Sequence, residues 1–545
     1  MLKKIALLLL IILLLACRKE GDSTKYEEKG KPAYGDTLIT SSIGEASNLI
    51  PILASDSASH DIAGYIYNGL VKYDKDLHIV GDLSESWDFS PDKLSITFHL
   101  RKNIRWHDGK PFTARDVLYT YKVIVDPKTP TPYSGDFLMV KKAEMLDDYT
   151  FRVTYGEPFA PALLSWAVSI LPHHLLEGHD ITASPLSRHP IGTGPYRFRE
   201  WIGGDRLVLE ANGDYFEGRP YMGRHVTRVI PDPATMFLEL KNNGIDMASL
   251  TPLQYVKQTD YPKFNRQFNK FKYLSFSYVY LGYNLKHPFF RDKRVRQAIT
   301  YAIDKQEIVD GILLGQGVAA EGPYKPDMWA FNPKIEKHPF DPGKARTLLG
   351  QAGFMKGPDG RLWKDGKAFE FTILCNQGNE VRIRCAELIQ QRLASLGITV
   401  KIRVIEWASF VNQYIDRRNY EAVILGWTIS QDPDIFDIWH SSKQNPKELN
   451  FMGFENREVD DLLVRARRTF DQEERRRCYW KIQDILSEEQ PYTFLFIPYA
   501  TLAVHKRIKG IEPAAAGIGY NFREWFVPEG QQRYRTRNNN AHLHP

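Results

Sequence analysis

The spacing of apolar and polar positions changes repeatedly along the chain, and the changes mark its elements. Thr37-Leu38-Ile39-Thr40 reads as a short opening strand. Residues 59–70 set Ile62, Tyr65, Ile66 and Leu70 at helical spacing, with Ser57 or Ser59 placed to cap them. Residues 83–89 lead into the turn Ser90-Pro91-Asp92-Lys93, and residues 94–100 alternate as a strand does. A second turn, His107-Asp108-Gly109-Lys110-Pro111, precedes a helix that Thr113 caps and that runs through Asp116, Val117, Tyr119, Thr120 and Tyr121. Later, residues 273–284, Thr372-Ile373-Leu374, residues 400–404 and residues 422–425 read as strands separated by helices. That alternation predicts an α/β lobe.

The last of these strands, Ala422-Val423-Ile424-Leu425, breaks at Gly426, where the backbone can turn freely. It opens into Trp427-Thr428-Ile429-Ser430-Gln431-Asp432-Pro433-Asp434. Strand ends that open into loops are where α/β proteins bind ligands. Trp427 suits stacking, Ser430 suits hydrogen bonding, and Asp432 and Asp434 suit a positive charge. A solvated loop behind a core strand, with Trp427 simply packed, fits the same residues.

At 545 residues the chain exceeds one core, and roughly two or three domains are expected. Aromatic residues are plentiful, with 11 Trp, 28 Tyr and 29 Phe, enough for a large core and a ligand-lining surface. The net charge of +6 is not gathered into a basic run, so composition gives no case for nucleic acid.

The N-terminus changes the picture. Lys3 and Lys4 precede an apolar run from Ile5 to Ala16. That run is about a dozen residues, short of the ~20 a membrane-spanning helix needs, and reads as an export signal over residues 1–16. Leu14-Leu15-Ala16-Cys17 resembles the bacterial lipobox, which implies cleavage before Cys17 and a lipid on it. Residues 17–34 are polar and suit a flexible tether. Beyond Cys17 only Cys375, Cys385 and Cys478 remain, too few for a disulfide scaffold in an exported protein. Cys375 and Cys385 could pair, but buried thiols are the simpler account.

The ordered series Asn68-Gly69-Leu70, Leu83-Ser84-Glu85-Ser86-Trp87, Phe98-His99-Leu100-Arg101 and Trp106-His107-Asp108-Gly109-Lys110-Pro111-Phe112-Thr113-Ala114-Arg115-Asp116-Val117 resembles the family 5 solute-binding proteins. Ile191-Gly192-Thr193-Gly194-Pro195-Tyr196, Glu210-Ala211-Asn212-Gly213-Asp214-Tyr215-Phe216 and Phe289-Phe290-Arg291-Asp292-Lys293-Arg294-Val295-Arg296-Gln297-Ala298-Ile299 are similar to that family's later blocks. The resemblance implies the extracytoplasmic peptide-binding component of an ABC importer. It implies an α/β, bilobed clamshell of the periplasmic-binding-protein type II-like kind (cluster C), with an extra inserted domain. Carried onto this chain, domain I spans 35–48, 193–283 and 501–530, domain II spans 49–192, and domain III spans 284–500. Residues 531–545 form a polar tail.

Catalytic motifs are absent. No Gly-x-Ser-x-Gly, P-loop or His-Glu-x-x-His occurs, so a hydrolase lacks a nucleophile with its base. His173, His174, Glu177 and His179 crowd together, but helical spacing turns His179 away, and no metal or cofactor is assigned. The resemblance implies ligand contact at Tyr133, Trp407, Gly426 and Trp427. Independently, Trp407 and Trp427 each follow an expected strand, where rigid rings give contact area at little entropic cost.

The chain departs from the family pattern at Ser430, three residues after Trp427, where several peptide binders place an aspartate for the ligand's α-amino group. A serine supplies no countercharge. Either Asp432 or Asp434 folds inward to supply it, or the ligand lacks a free amino terminus. The expectation is a monomeric, lipid-anchored, extracytoplasmic protein that captures oligopeptides or dipeptides and hands them to a membrane permease. A nickel chelate, an oligosaccharide or an opine-like compound is the alternative ligand.

Overall fold

The computed structural model describes residues 30–534. The export signal, Cys17 and most of the expected tether and tail lie outside the described residues. Among the described residues no helix is long and apolar enough to cross a membrane.

Two lobes are built around separate sheets. In the first, Gly35–Ser42 pairs in parallel with Met222–Val229, which pairs antiparallel with Arg206–Ala211 and then Tyr196–Ile202. A second, antiparallel sheet is ordered Ser84–Phe89, Ser95–Leu100, Thr150–Tyr155, Val140–Asp147. Trp106, Trp166, Phe98 and Tyr196 are fully buried in one core that runs beneath both sheets. The helix Ala114–Val125 closes over it with a capping box between Thr113 and Asp116, as its sequence predicts. The earlier helix is Ser57–Ile66, and its cap is Asp56 rather than a serine: the Asp56 carboxylate accepts from Ser59 N at 2.9 Å, and a charged acceptor is the stronger cap.

A mixed sheet reaches from the first lobe into the other in the order Met247–Ser249, Tyr492–His505, Ser277–Tyr283, Ala422–Thr428, Glu370–Asn376, Thr399–Ile405, and its last four strands build the other lobe. Its faces alternate strictly. Ala422 and Ile424 enter the core shared with Ile373 and Ile389, while Val423 and Leu425 enter the core shared with Trp439 and Phe494. Cys375, Cys385 and Cys478 are free and buried, and burial pushes the Cys375 thiol up to about 12.

One strand serves both lobes. Residues 492–496 of Tyr492–His505 pair with Ser277–Tyr283, and residues 499–505 pair with Phe268–Leu274. The strand expected over 273–284 is therefore two, because residues 275 and 276 leave one ladder before the next begins. Arg507 ties the returning chain to the first lobe through Asp36 and, at 2.5 Å, Asp246, all three almost wholly buried.

Candidate functional site

The strands Glu370–Asn376, Thr399–Ile405 and Ala422–Thr428 run parallel, so their C-terminal ends share one edge of the sheet. The helix Glu380–Ala394 begins at that same edge, capped by Asn379. Trp407 follows the edge strand Thr399–Ile405, its turn held by Glu406, whose carboxylate accepts from Ala408 N at 2.8 Å and Ser409 N at 2.9 Å. The Trp407 ring stacks on Phe410 at 6.0 Å and stays half-buried. The first lobe reaches it: a side-chain carbon at Gly44 would stand 3.3 Å from Trp407 Cδ1. At Gly378 such a carbon would stand 2.7 Å from the Pro231 carbonyl and 3.5 Å from Ile43 Cβ. Residues 43 and 44 thus lie against two of the strand-exit turns of the opposite lobe.

Gly426 does not end its strand, which continues to Thr428. A side chain is excluded there by close approach: a carbon on Gly426 would lie 2.9 Å from the Tyr278 carbonyl and 3.0 Å from Arg382 Nη2. Trp427 points to the other face. Its Nε1 donates to the Tyr492 hydroxyl at 3.1 Å, and its ring meets Phe451 at 5.5 Å. Half-buried, it packs against the core without entering it.

The loop beyond holds its acids tightly. Asp432 accepts from Arg475 through both oxygens, at 2.6 and 3.0 Å. Asp434 lies 2.6 Å from Arg467 Nη2. Each carboxylate raises the pKa of its arginine against the opposing effect of burial. Ser430 is exposed and faces Tyr73 of the first lobe; burial pushes the Tyr73 phenol up, and a hydrogen bond to Ser430 opposes that shift.

Tyr133 stands at the same boundary. Its hydroxyl donates to the Ala54 carbonyl at 2.9 Å and lies 2.8 Å from His60 Nε2, while burial, with Asp56 and Asp437 adding, raises its pKa. Two residues on, Gly135 is pressed against Asp437 and Lys443 of the other lobe. The structure therefore brings Tyr133, Trp407, Ser430 and the 432–437 loop to the interlobe boundary, with Gly426 and Trp427 just inside one wall.

A family model for bacterial extracellular solute-binding proteins, family 5, matches residues 78–447. The chain belongs to that family. Its family 5 relatives include the oligopeptide-binding protein AppA of Bacillus subtilis, 36% identical over 538 residues, which cover 96% of this chain and 97% of AppA. The structure of AppA from Bacillus subtilis in complex with a nonapeptide superposes with a TM-score of 0.87 at 34% identity, covering 91% of this chain and 100% of that one. NikZ from Campylobacter jejuni in complex with Ni(L-His) superposes with a TM-score of 0.82 at 30% identity, covering 90% and 99%.

Three features of this family 5 protein's site escape its sequence pattern. Asp61 keeps an exposed side chain, yet burial is the largest influence on its carboxyl and pushes it up, with nearby His60 opposing. Arg382 is half-buried beneath Gly426, its Nη1 donating to Asn376 Oδ1 at 2.8 Å. Arg467 and Asp136 link the lobes directly. Only Asp61 left a trace in the sequence, as a charge on a helix whose neighbouring Ile62, Ala63 and Ile66 are apolar.

The two histidines of the short helix His173–Leu176 are used structurally. His173 Nδ1 lies 2.6 Å from Asp116 of the capped helix, and His174 Nε2 lies 2.7 Å from Asp108 in the turn that precedes that helix.

Proposed function

We propose that this solute-binding protein captures peptides in extended form between its lobes and presents them to the permease of an ABC importer. The observation that carries the reading is the edge where Trp407 and the ends of three parallel strands face residues 43 and 44 of the opposite lobe. An extended ligand there can take main-chain hydrogen bonds from strand ends and turns, with aromatic walls accepting varied side chains. The peptide-bound relative at 34% identity over 91% of the chain supports the same ligand class. We also take Cys17 as the site of a lipid that holds a monomer at the outer face of a membrane, and the ligand as leaving chemically unchanged.

We take residues 275–276 and 497–498 as the hinge, since there the strand Tyr492–His505 passes from its ladder with Ser277–Tyr283 to its ladder with Phe268–Leu274. On this reading domain III begins near Ser277, because Ser277–Tyr283 is paired into its sheet.

Mass spectrometry of ligand released from the purified protein tests the reading. Peptides in the released fraction support it; a peptide-free metal chelate or sugar replaces it. The non-peptide alternative has its own support: both acids of the 432–434 loop are already engaged by arginines, so that loop offers no free carboxylate to an α-amino group. The relative bound to Ni(L-His) shares the fold over 90% of this chain.

A further inference from the structure

Of the four residues His173, His174, Glu177 and His179 that crowd together in the sequence, the fold sets two aside. Glu177 is held by Arg115 at 2.7 Å, and His179 is exposed. The remaining pair meets a carboxylate of the capped helix Ala114–Val125. Asp116, His173 and His174 each bring a nitrogen or oxygen able to ligate a metal within 4.8 Å of those of the other two.

The cluster carries negative charge that no strong base offsets. The Asp116 side chain is wholly buried. Its Oδ1 accepts from His173 Nδ1 at 2.6 Å and from His173 N at 3.1 Å, and its Oδ2 accepts from Thr113 N at 2.9 Å. Asp108 stands behind His174, 2.7 Å from Nε2. Among the described residues neither carboxylate has a lysine or arginine partner; each is paired with a histidine. A buried carboxylate with only imidazoles and main-chain amides around it is stabilised by a cation.

His174 points to what kind of cation. A carboxylate at Nε2 sets the proton on that nitrogen and leaves Nδ1 with its lone pair. Nδ1 is buried and has no hydrogen-bond partner. An imidazole that donates to a carboxylate through one nitrogen and keeps the other bare is how histidines are held toward metal ions. The Trp106 ring stands 6.1 Å from that of His174 as an apolar wall. His173 and His174 keep 17% and 18% of their side chains open to solvent, which leaves an ion a way in.

We infer that Asp116, His173 and His174 bind a divalent transition-metal ion, with Zn²⁺ the best match to two imidazoles and a carboxylate, and with Asp108 orienting His174. His174 ligates through Nδ1. At His173 the ion takes the place of the proton shared with Asp116, and a fourth position is left to water. The site lies in the first lobe, on the core that holds Trp106 and Leu176, and is independent of what the interlobe chamber carries. The ion clamps the short helix His173–Leu176 onto the start of Ala114–Val125, a structural role and not that of cargo.

The test is calorimetric titration of Zn²⁺ into the full-length protein, without a histidine tag and stripped with chelator. Binding of one zinc per chain is expected, with a rise in melting temperature. Asp108→Asn leaves every ligand in place and is expected to weaken binding by about ten- to a hundredfold. His173→Ala and His174→Ala are each expected to weaken it further, and His179→Ala to bind as the wild type does. Metal-free melts establish that the variants are folded, and His173→Gln, which can still bond to Asp116, replaces an alanine variant that is not. A wild type that binds no zinc overturns the site, whatever the variants do. Zinc binding that survives in the His173→Ala, His174→Ala double variant, or that is lost equally in His179→Ala, overturns it as well.

Discussion

Arg467 Nη2 lies 2.9 Å from the Asp136 carboxylate, and the two residues come from opposite lobes. The same nitrogen lies 2.6 Å from Asp434 of its own lobe. Asp434 and Asp136 thus share one guanidinium across the interlobe boundary. Burial and the nearby carboxylates of Asp434 and Asp437 push the Asp136 carboxyl up, and Arg467 pulls it down. Around this contact Arg468 pairs with Glu157 at 2.8 Å, and Phe470 meets Phe89 edge-on at 6.5 Å.

Asp136→Asn removes one side of the interlobe pair and leaves Arg467 held by Asp434. The expected result is ligand dissociation faster by roughly three- to thirtyfold, the effect of a partly buried charge pair, with little change in melting temperature. Stopped-flow dissociation and calorimetry measure both. An unchanged off-rate would show that the contact does not hold the closed form.

The two tryptophans are expected to behave differently. Trp427 is tied to Tyr492 and Phe451, so Trp427→Ala is expected to destabilise the fold by about 2–4 kcal/mol as well as to weaken ligand binding. Trp407 stands at the chamber edge against Gly44, and Trp407→Ala is expected to lower affinity with a smaller stability loss. Denaturant melts beside ligand titrations separate the two. Equal stability losses would show that Trp407 is a core residue.

Asp432→Asn is expected to destabilise by about 3–5 kcal/mol, since it strands the buried Arg475. If Asp432 served the ligand instead, the variant would melt like the wild type and lose only affinity.

Acid is expected to weaken the fold through neutral histidines. Burial lowers His225 and His338 to about 4, and both are almost fully buried. A base with a depressed native pKa stabilises above its unfolded value near 6.5, and that stability is lost as pH falls toward 4. Each contributes about 3 kcal/mol at most across that window. Melting temperature measured from pH 7 to pH 4 checks this, and replacing His225 by Asn should flatten the decline.

Much of this architecture was legible in the chain. The alternating run at residues 94–100 identified a strand with one face in the core, and the unbroken apolar run at 422–425 identified a strand buried on both faces. Thr113 and Asp116 announced a helix start because capping is a contact between near neighbours. The ordered blocks pointed to the family, and the apolar segment ending at Ala16-Cys17 pointed to export. Other features misled. Gly426 looked like a breaker, because glycine's freedom is visible in a sequence while the Tyr278 carbonyl and the Arg382 guanidinium crowding it are not. Residues 273–284 looked like one strand, because the change of partner lies on Tyr492–His505, more than two hundred residues away.

What the sequence determined by itself are properties set by residues within a turn or two of each other: most element types, the cap at Thr113 and the order of the family's blocks. What only the tertiary structure decided is charge compensation. Asp432 and Asp434 read as acids suited to a positive ligand charge, and the fold sets Arg475 and Arg467 against them. A carboxylate's role depends on what stands a few ångströms from it, and in a fold that brings distant segments together those partners come from anywhere in the chain.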